Sequence, residues 1–308
     1  MSTRTLLEWL LAKYPQTPRT RAKQWIVAGR VSVNGVVMRR PHQLIADPGD
    51  RLVLLKRDAA SLDWRPDGFA IHERLVLLYV DRCLAVLNKD AGLLCVGAPS
   101  GEPSALDILA AKLPTLPPAY RRLRPLPVHR LDRDTSGVFC VAMNPSARLD
   151  LIEQVRSHKM RREYVGFVEG TPCRRKGAWR AWLKLDEDER EQAVVPPGTA
   201  GAAESVTHYE VLEVFPRAGV SKLRLWLETG LRHQIRVQAA EAGLPLVGDR
   251  RYNPGYRGPL RRQALHAVRL TLRHPLRKCL MTFEAPLPED LREFETRLKK
   301  EATVDLRR

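Results

Sequence analysis

Cysteine is scarce in this chain and badly placed for cross-linking. Cys83, Cys95, Cys140, Cys173 and Cys279 are an odd number spread over 308 residues, with no C-x-x-C pair and no histidine at ligand spacing, so neither a disulfide framework nor a zinc site organises the fold. Cys83, Cys95 and Cys140 stand in apolar runs, where a small thiol is ordinary core material. No apolar run approaches the roughly 18 residues of a membrane span, and no internal repeat is visible. The opening stretch Met1 to Lys13 has charges inside its apolar residues and lacks a small-residue cleavage site, so a secretory signal is not expected there. Acidic residues are also in deficit. Against 52 Lys+Arg there are 35 Asp+Glu, a formal charge of +17, which favours a polyanionic partner, nucleic acid first. A reducing, cytoplasmic setting fits this composition, and membrane association does not.

What is present is enough for a large core and an accessory domain: 308 residues, 44% of them hydrophobic. Leu6, Leu7, Leu10, Leu11 and Tyr14 recur at helical spacing, with Thr3 or Thr5 placed to cap and Pro15 and Pro18 closing the segment. Thr20 to Ala28 predicts a second helix, with Ala22, Trp25 and Ile26 on one side, Arg19, Arg21, Lys23 and Arg30 available to the other, and Gly29 as its stop. Val31 to Val37 alternates and turns at Asn34-Gly35, a hairpin signal. Pro48-Gly49-Asp50 then leads into a strand from Arg51 to Leu55. Arg57 to Glu73 is charged and aperiodic and reads as a linker. The expected division is residues 1–57, a linker at 58–74, a main domain at 75–301 and a tail at 302–308. Within the main domain, Val76 to Val80, Cys83 to Leu87, Leu93 to Val96, Thr207 to Val214 and Leu223 to Leu227 read as strands. Ala105 to Leu113 and a terminal helix carrying Leu291, Phe294 and Leu298 on one face read as helices, with fraying expected from Lys299 onward. Residues 171–204 are rich in Pro, Gly and charge, and the acidic block Asp186 to Glu191 reads as a solvated face.

The most informative stretch is His129-Arg130-Leu131-Asp132-Arg133-Asp134-Thr135-Ser136-Gly137. Apolar segments Leu126 to Val128 and Val138 to Ala142 flank it, which makes the nonet a polar loop presented by a sheet. A charged carboxylate among arginines can act as nucleophile or base at neutral pH. An aspartate between arginines is more often half of a surface ion pair, so the nonet's weight comes from its whole pattern.

That pattern resembles, residue for residue, the H-R-L-D-x-x-T-S-G signature of the RluA-type RNA pseudouridine synthases. Three further blocks extend the resemblance. Tyr79-Val80-Asp81 followed by Asn88-Lys89-Asp90-Ala91-Gly92 resembles the opening block, with Asp90 where the family has proline. Arg161 to Gly170 resembles the block that holds an active-site tyrosine, here Tyr164. Thr229-Gly230-Leu231-Arg232-His233-Gln234-Ile235-Arg236-Val237-Gln238, with Gly243 to Asp249, Tyr252, Arg262 to Ala267 and His274-Pro275 behind it, resembles the last. Two departures stand in it: Leu231 occupies the place of an arginine, with Arg232 one position later, and Gln238 occupies that of a histidine. The N-terminal constellation Gly29, Val31, Val33, Asn34, Gly35, Gly49 and Asp50 is similar to the RNA-binding domain first seen in small-subunit ribosomal protein S-four.

The resemblance implies an α+β fold: a catalytic domain around a mixed, largely antiparallel sheet, the pseudouridine synthase fold, behind a small α/β S-four-like domain. It implies RNA as partner, with ribosomal RNA of the large subunit favoured over tRNA; a monomer is expected. Moving uracil from nitrogen to carbon attachment involves no net redox change and no hydrolysis, so no metal or nucleotide cofactor is expected. Asp132 would attack sugar or base or remove a ribose proton; Arg236 would pair with it and hold its orientation and charge. Tyr164 would stack on the uracil and assist proton transfer. The nucleotide must leave its stack, and Arg130 or a neighbour could fill the gap. His129, Lys89 and Arg232 complete the expected substrate contacts, and Arg19, Arg21, Lys23 and Arg30 the grip on RNA. The departures raise one alternative, a catalytically silent RNA-binding or ribosome-assembly factor, which the intact nonet with Tyr164 and Arg236 opposes. A hydrolytic glycosidase would need Asp132 and Asp134 to face each other across a gap, which neighbours two apart in a loop do not readily offer.

Overall fold

The computed structural model describes residues 3–27, 29–34, 36–54, 68–97, 101–116, 120–185 and 191–303. The first helix, Leu6–Lys13, starts at Thr5 through a reciprocal cap: the Glu8 amide donates to the Thr5 hydroxyl and the Thr5 amide to the Glu8 carboxylate at 2.8 Å. It packs against Arg19–Val27 and the strands Val31–Val33, Val36–Met38 and Leu52–Leu54. Leu6, Leu7, Leu10, Ala22, Ile26, Val31 and Leu52 form a core of their own. Asn34 opens the hairpin turn in the left-handed region, φ +53°, while Gly35 lies outside the described residues.

The rest of the chain is built on one long sheet. In spatial order its strands are Gln192–Val195, Lys176–Leu185, Ala203–Phe215, Val220–Leu227, Arg161–Glu169, Leu265–Arg273, Ser136–Ala142, Leu84–Lys89, Leu75–Val80 and Phe69–His72. Every neighbouring pair along this path is antiparallel except Ser136–Ala142 with Leu265–Arg273, which run parallel. Leu280–Glu284 joins Leu265–Arg273 from the side and touches the N-terminal unit through one bridge, Leu280 to Val36. No helix among the described residues is long and apolar enough to cross a membrane.

Four readings of the sequence change. Leu93 to Val96 is no strand: only the bridge between Leu94 and Ser104 forms, and the carbonyls of Leu94 and Cys95 accept from Ala105 and Leu106 at the start of the helix Ala105–Lys112. A short apolar run reports burial, not ladder pairing. The expected linker contains Phe69–His72, paired to Leu75–Val80 as the sheet's edge, while residues 55–67 lie outside the described residues. The Pro-, Gly- and charge-rich region holds two strands, Lys176–Leu185 and Gln192–Val195; of its acidic block, 186–190 lie outside the described residues. The terminal helix, Glu289–Thr303, runs past Lys299 with Leu291, Phe294 and Leu298 buried.

The parallel junction fixes where the nonet leaves the sheet. Gly137 pairs with Ala267 at φ +118°, and a Cβ there would lie 2.2 Å from the Ala267 carbonyl oxygen. Gly137→Ala therefore combines backbone strain of about 1–3 kcal/mol with overpacking of a similar size. A drop of at least about 2 kcal/mol in chemical denaturation is expected; a loss under about 0.5 kcal/mol, the ordinary range for unconstrained positions, would show that the junction can open.

Candidate active site

The loop before Ser136–Ala142 is clamped through its backbone. The fully buried Lys89 ammonium donates to the carbonyls of Arg133 at 2.7 Å and Asp90 at 3.0 Å, and the Gly92 amide also donates to Arg133. Burial pushes the Lys89 pKa down to about 8. The Leu131 amide donates to Cys95 Sγ at 3.2 Å, Arg262 Nη1 to the Asp134 carbonyl at 3.1 Å, and Gln263 Nε2 to the Thr135 hydroxyl at 3.2 Å. Asp90, where a proline would have no N–H, donates its amide to the Arg74 carbonyl at 2.9 Å. The departure thus gains a turn-closing bond.

With the backbone held, Asp132 opens into a pocket lined by Arg130, Leu131, Thr135, Arg162, Tyr164 and Leu231, with His233 and Arg236 beside them. Its side chain is 19% exposed. Arg236 comes from the first turn of the helix Gln234–Glu241 and bridges two carboxylates. It meets the fully buried Asp249 in a fork, Nε to Oδ2 at 2.7 Å and Nη2 to Oδ1 at 2.8 Å, and reaches Asp132 Oδ2 through Nη1 at 3.3 Å. The tighter partner is Asp249, which sequence spacing did not reveal.

On the other oxygen, His233 Nε2 stands 3.9 Å from Asp132 Oδ1. The Tyr252 hydroxyl accepts from the Gln192 amide at 2.9 Å and lies 3.0 Å from His233 Nδ1. When that hydroxyl donates its own proton to Nδ1, His233 carries its proton on Nε2, the nitrogen nearer Asp132. Burial holds the His233 pKa down to about 4, so the ring is neutral at pH 7. Tyr164 enters from Arg161–Glu169 beside a β-bulge between Glu163 and Tyr164, a device that re-aims side chains. It is 5% exposed, and burial pushes its pKa up to about 12.

Not every expected contact lines this pocket. Arg130 does, and is exposed. Lys89 lies beneath the loop, occupied by carbonyls. His129 accepts from the Cys140 amide at Nε2, 3.2 Å, and sits edge-on to Phe139; burial depresses its pKa to about 3, and it supports the strand from below. Arg232 is exposed outside the lining, where Leu231 supplies an apolar wall. Asp134 does not line the pocket, which removes the second carboxylate a glycosidase would need. Gln238, in the histidine's place, is fully satisfied: Nε2 donates to the Ser205 and Trp179 carbonyls and Oε1 accepts from the Thr207 hydroxyl at 2.6 Å. Gln234 likewise bonds Val206, Thr207, Thr229 and Leu231, so two buried glutamines pin this helix to the strand Ala203–Phe215. Far from the pocket, Arg19, Arg21 and Lys23 are exposed on the second helix, and Arg21 and Arg30 flank Trp25 at 5.9 and 5.3 Å.

Among the described residues one cluster has metal-ligand types, Asp81, Cys83 and His274. Asp81 already accepts from the Tyr79 hydroxyl, the Cys83 and Leu84 amides, His274 and Arg277, and His274 Nδ1 accepts from the Leu276 and Arg277 amides. It is a structural tie between the strand Leu84–Lys89 and the turn after Leu265–Arg273.

Comparison with known proteins agrees with the fold and with the two domains. Residues 83–241 match the RNA pseudouridylate synthase family and residues 4–52 the S4 domain. An uncharacterized RNA pseudouridine synthase of Synechocystis is 37% identical over 91% of this chain and 85% of that one. Ribosomal large subunit pseudouridine synthase D of Pseudomonas aeruginosa is 36% identical over 90% and 86%. The human RNA pseudouridylate synthase domain containing 4 protein shares the fold, with a TM-score of 0.58 at 22% identity over 72% of this chain and 92% of that one. The chain belongs to the RNA pseudouridylate synthase family. It is an RNA pseudouridine synthase, an isomerase, with an N-terminal S4 domain.

Proposed function

We propose that this enzyme converts specific uridines of large-subunit ribosomal RNA to pseudouridine, with Asp132 as the reacting carboxylate. The observation that carries the reading is the convergence of Asp132, Tyr164 and Arg236 from three separate segments on one pocket. The preference for large-subunit RNA is supported by relatives named for that substrate. In this scheme the target nucleotide leaves its stack and enters the pocket, and Arg130 on the rim occupies the gap. Tyr164, protonated at neutral pH, stacks on the ring. Arg236, held by Asp249, keeps Asp132 turned toward the sugar. The enzyme works as a cytoplasmic monomer, with residues 1–57 gripping RNA and residues 75–301 performing the isomerisation. Mapping pseudouridines across total RNA from cells with and without the protein tests the assignment: loss confined to tRNA, or no loss, overturns the substrate.

The N-terminal grip has its own signature. Replacing Arg19, Arg21 and Lys23 by alanine should weaken RNA binding and flatten its log–log salt dependence by roughly 0.7–0.9 per lost phosphate contact. An unchanged slope would make the domain a stiffening cap instead.

A further inference from the structure

Arg162 has no function in the scheme above, yet it is the least compensated charge in the pocket. It is 6% exposed, lines the same pocket as Tyr164, and among the described residues no carboxylate pairs with it. Nη2 donates to the Thr229 carbonyl at 3.1 Å, while Nε is buried without a hydrogen-bond partner. Gly230 passes so close that a Cβ there would lie 2.4 Å from Nη1. The backbone makes room for this guanidinium at a position that also lines the pocket. A buried, unpaired cation is costly, and one facing a pocket is explained most simply by an anion that arrives with the substrate. Arg236 cannot serve that anion, because Asp249 and Asp132 already occupy it.

Two anions could arrive. Phosphate stays on the RNA backbone, which the flipped base leaves behind on entering the pocket, where Leu131, Leu231 and Leu265 offer apolar contact to a ring face beside the arginines. The uracil ring, by contrast, enters neutral and becomes negative inside: when N1–C1′ breaks, the bonding pair leaves with the ring and spreads over N1 and the two carbonyl oxygens. When C5 rejoins C1′ it returns that pair, a proton leaves C5 and N1 gains one. The proton count and oxidation state are unchanged. We propose that Arg162 is a catalytic residue that donates to a carbonyl oxygen of the detached uracil and balances its transient charge. Such a fixed donor acts where charge develops and needs no reorganisation in the reaction. The inference rests on the pocket assignment made under Proposed function.

Single-turnover rates on target RNA containing either uridine or 5-fluorouridine test it, because fluorine makes the ring anion more stable and less dependent on a counter-charge. Arg162→Gln should slow the uridine reaction by about 10²–10³-fold, the size of one lost fixed donor, with RNA affinity changed less than about threefold. Consumption of 5-fluorouridine should lose at least about tenfold less. Arg162→Lys, which keeps the charge, should recover part of the rate and remains informative if the glutamine variant fails to fold. Equal losses on both bases, a uridine rate within about threefold of the parent, or no advantage of lysine over glutamine would each overturn the proposal. So would a weakened affinity with a salt slope lower by about 0.7–0.9, the mark of a phosphate contact. Asp132→Asn separates the two readings: if it is inactive while the Arg162 results fail, only this inference falls; if it turns over, the pocket assignment falls first.

Discussion

Asp132→Asn is expected to abolish pseudouridine formation, with a single-turnover rate at least about 10⁴-fold below the parent, the scale of removing an essential reacting group. The amide fills the same space and can still accept from Arg236, but it cannot act as nucleophile or base. Stability should change little, by about 1 kcal/mol or less, for a reason the geometry supplies. Arg236 keeps its fork to Asp249, so the substitution leaves no buried cation without a carboxylate. RNA affinity should stay within a few-fold. Asp134→Asn serves as the control and should turn over near the parent rate, because Asp134 lies outside the pocket lining. Appreciable product from Asp132→Asn, or an inactive Asp134→Asn, would show that the wrong carboxylate had been chosen.

Elements with strong local signals were legible in the sequence. The capped helix Leu6–Lys13, the Asn34 hairpin and the strand Ser136–Ala142 behind the nonet each follow from periodicity plus a turn or cap residue, which act over a few positions. What escaped was decided across long sequence distances. Lys176–Leu185 alternates exposed Lys176, Ala178, Arg180 and Lys184 with less exposed Gly177, Trp179, Ala181 and Leu183, but its outward charges make the segment read as loop. Lys89 and His129 carry residue types suited to substrate contact, and residue type says nothing of side-chain direction; both turn inward to hold the loop and its strand. Asp249 and His233 sat in view within the last block. Their roles depend on a helix start and a turn folding onto the nonet from more than a hundred residues away, and no spacing rule predicts that approach.

Arg236→Ala should have two large effects that a second substitution can separate. The fully buried Asp249 would lose its cation, a change of about 3–5 kcal/mol for one broken half of a buried pair. Asp132 would at the same time lose its partner at 3.3 Å, and the single-turnover rate should fall by about 10²–10³-fold, as for one lost electrostatic contact in a site. Adding Asp249→Asn to Arg236→Ala removes the orphaned charge. The amide can still accept from the Arg251 and Tyr252 amides, which the carboxylate does at 3.1 Å in the parent. The double variant should therefore regain much of the lost stability in chemical denaturation, a coupling of several kcal/mol between residues in contact. Its chemistry should not recover, because Asp132 still faces the pocket without the guanidinium. If rate and stability instead return together, Arg236 acts on the reaction only by keeping the fold intact, and the orientation of Asp132 must be set by His233 on its other oxygen.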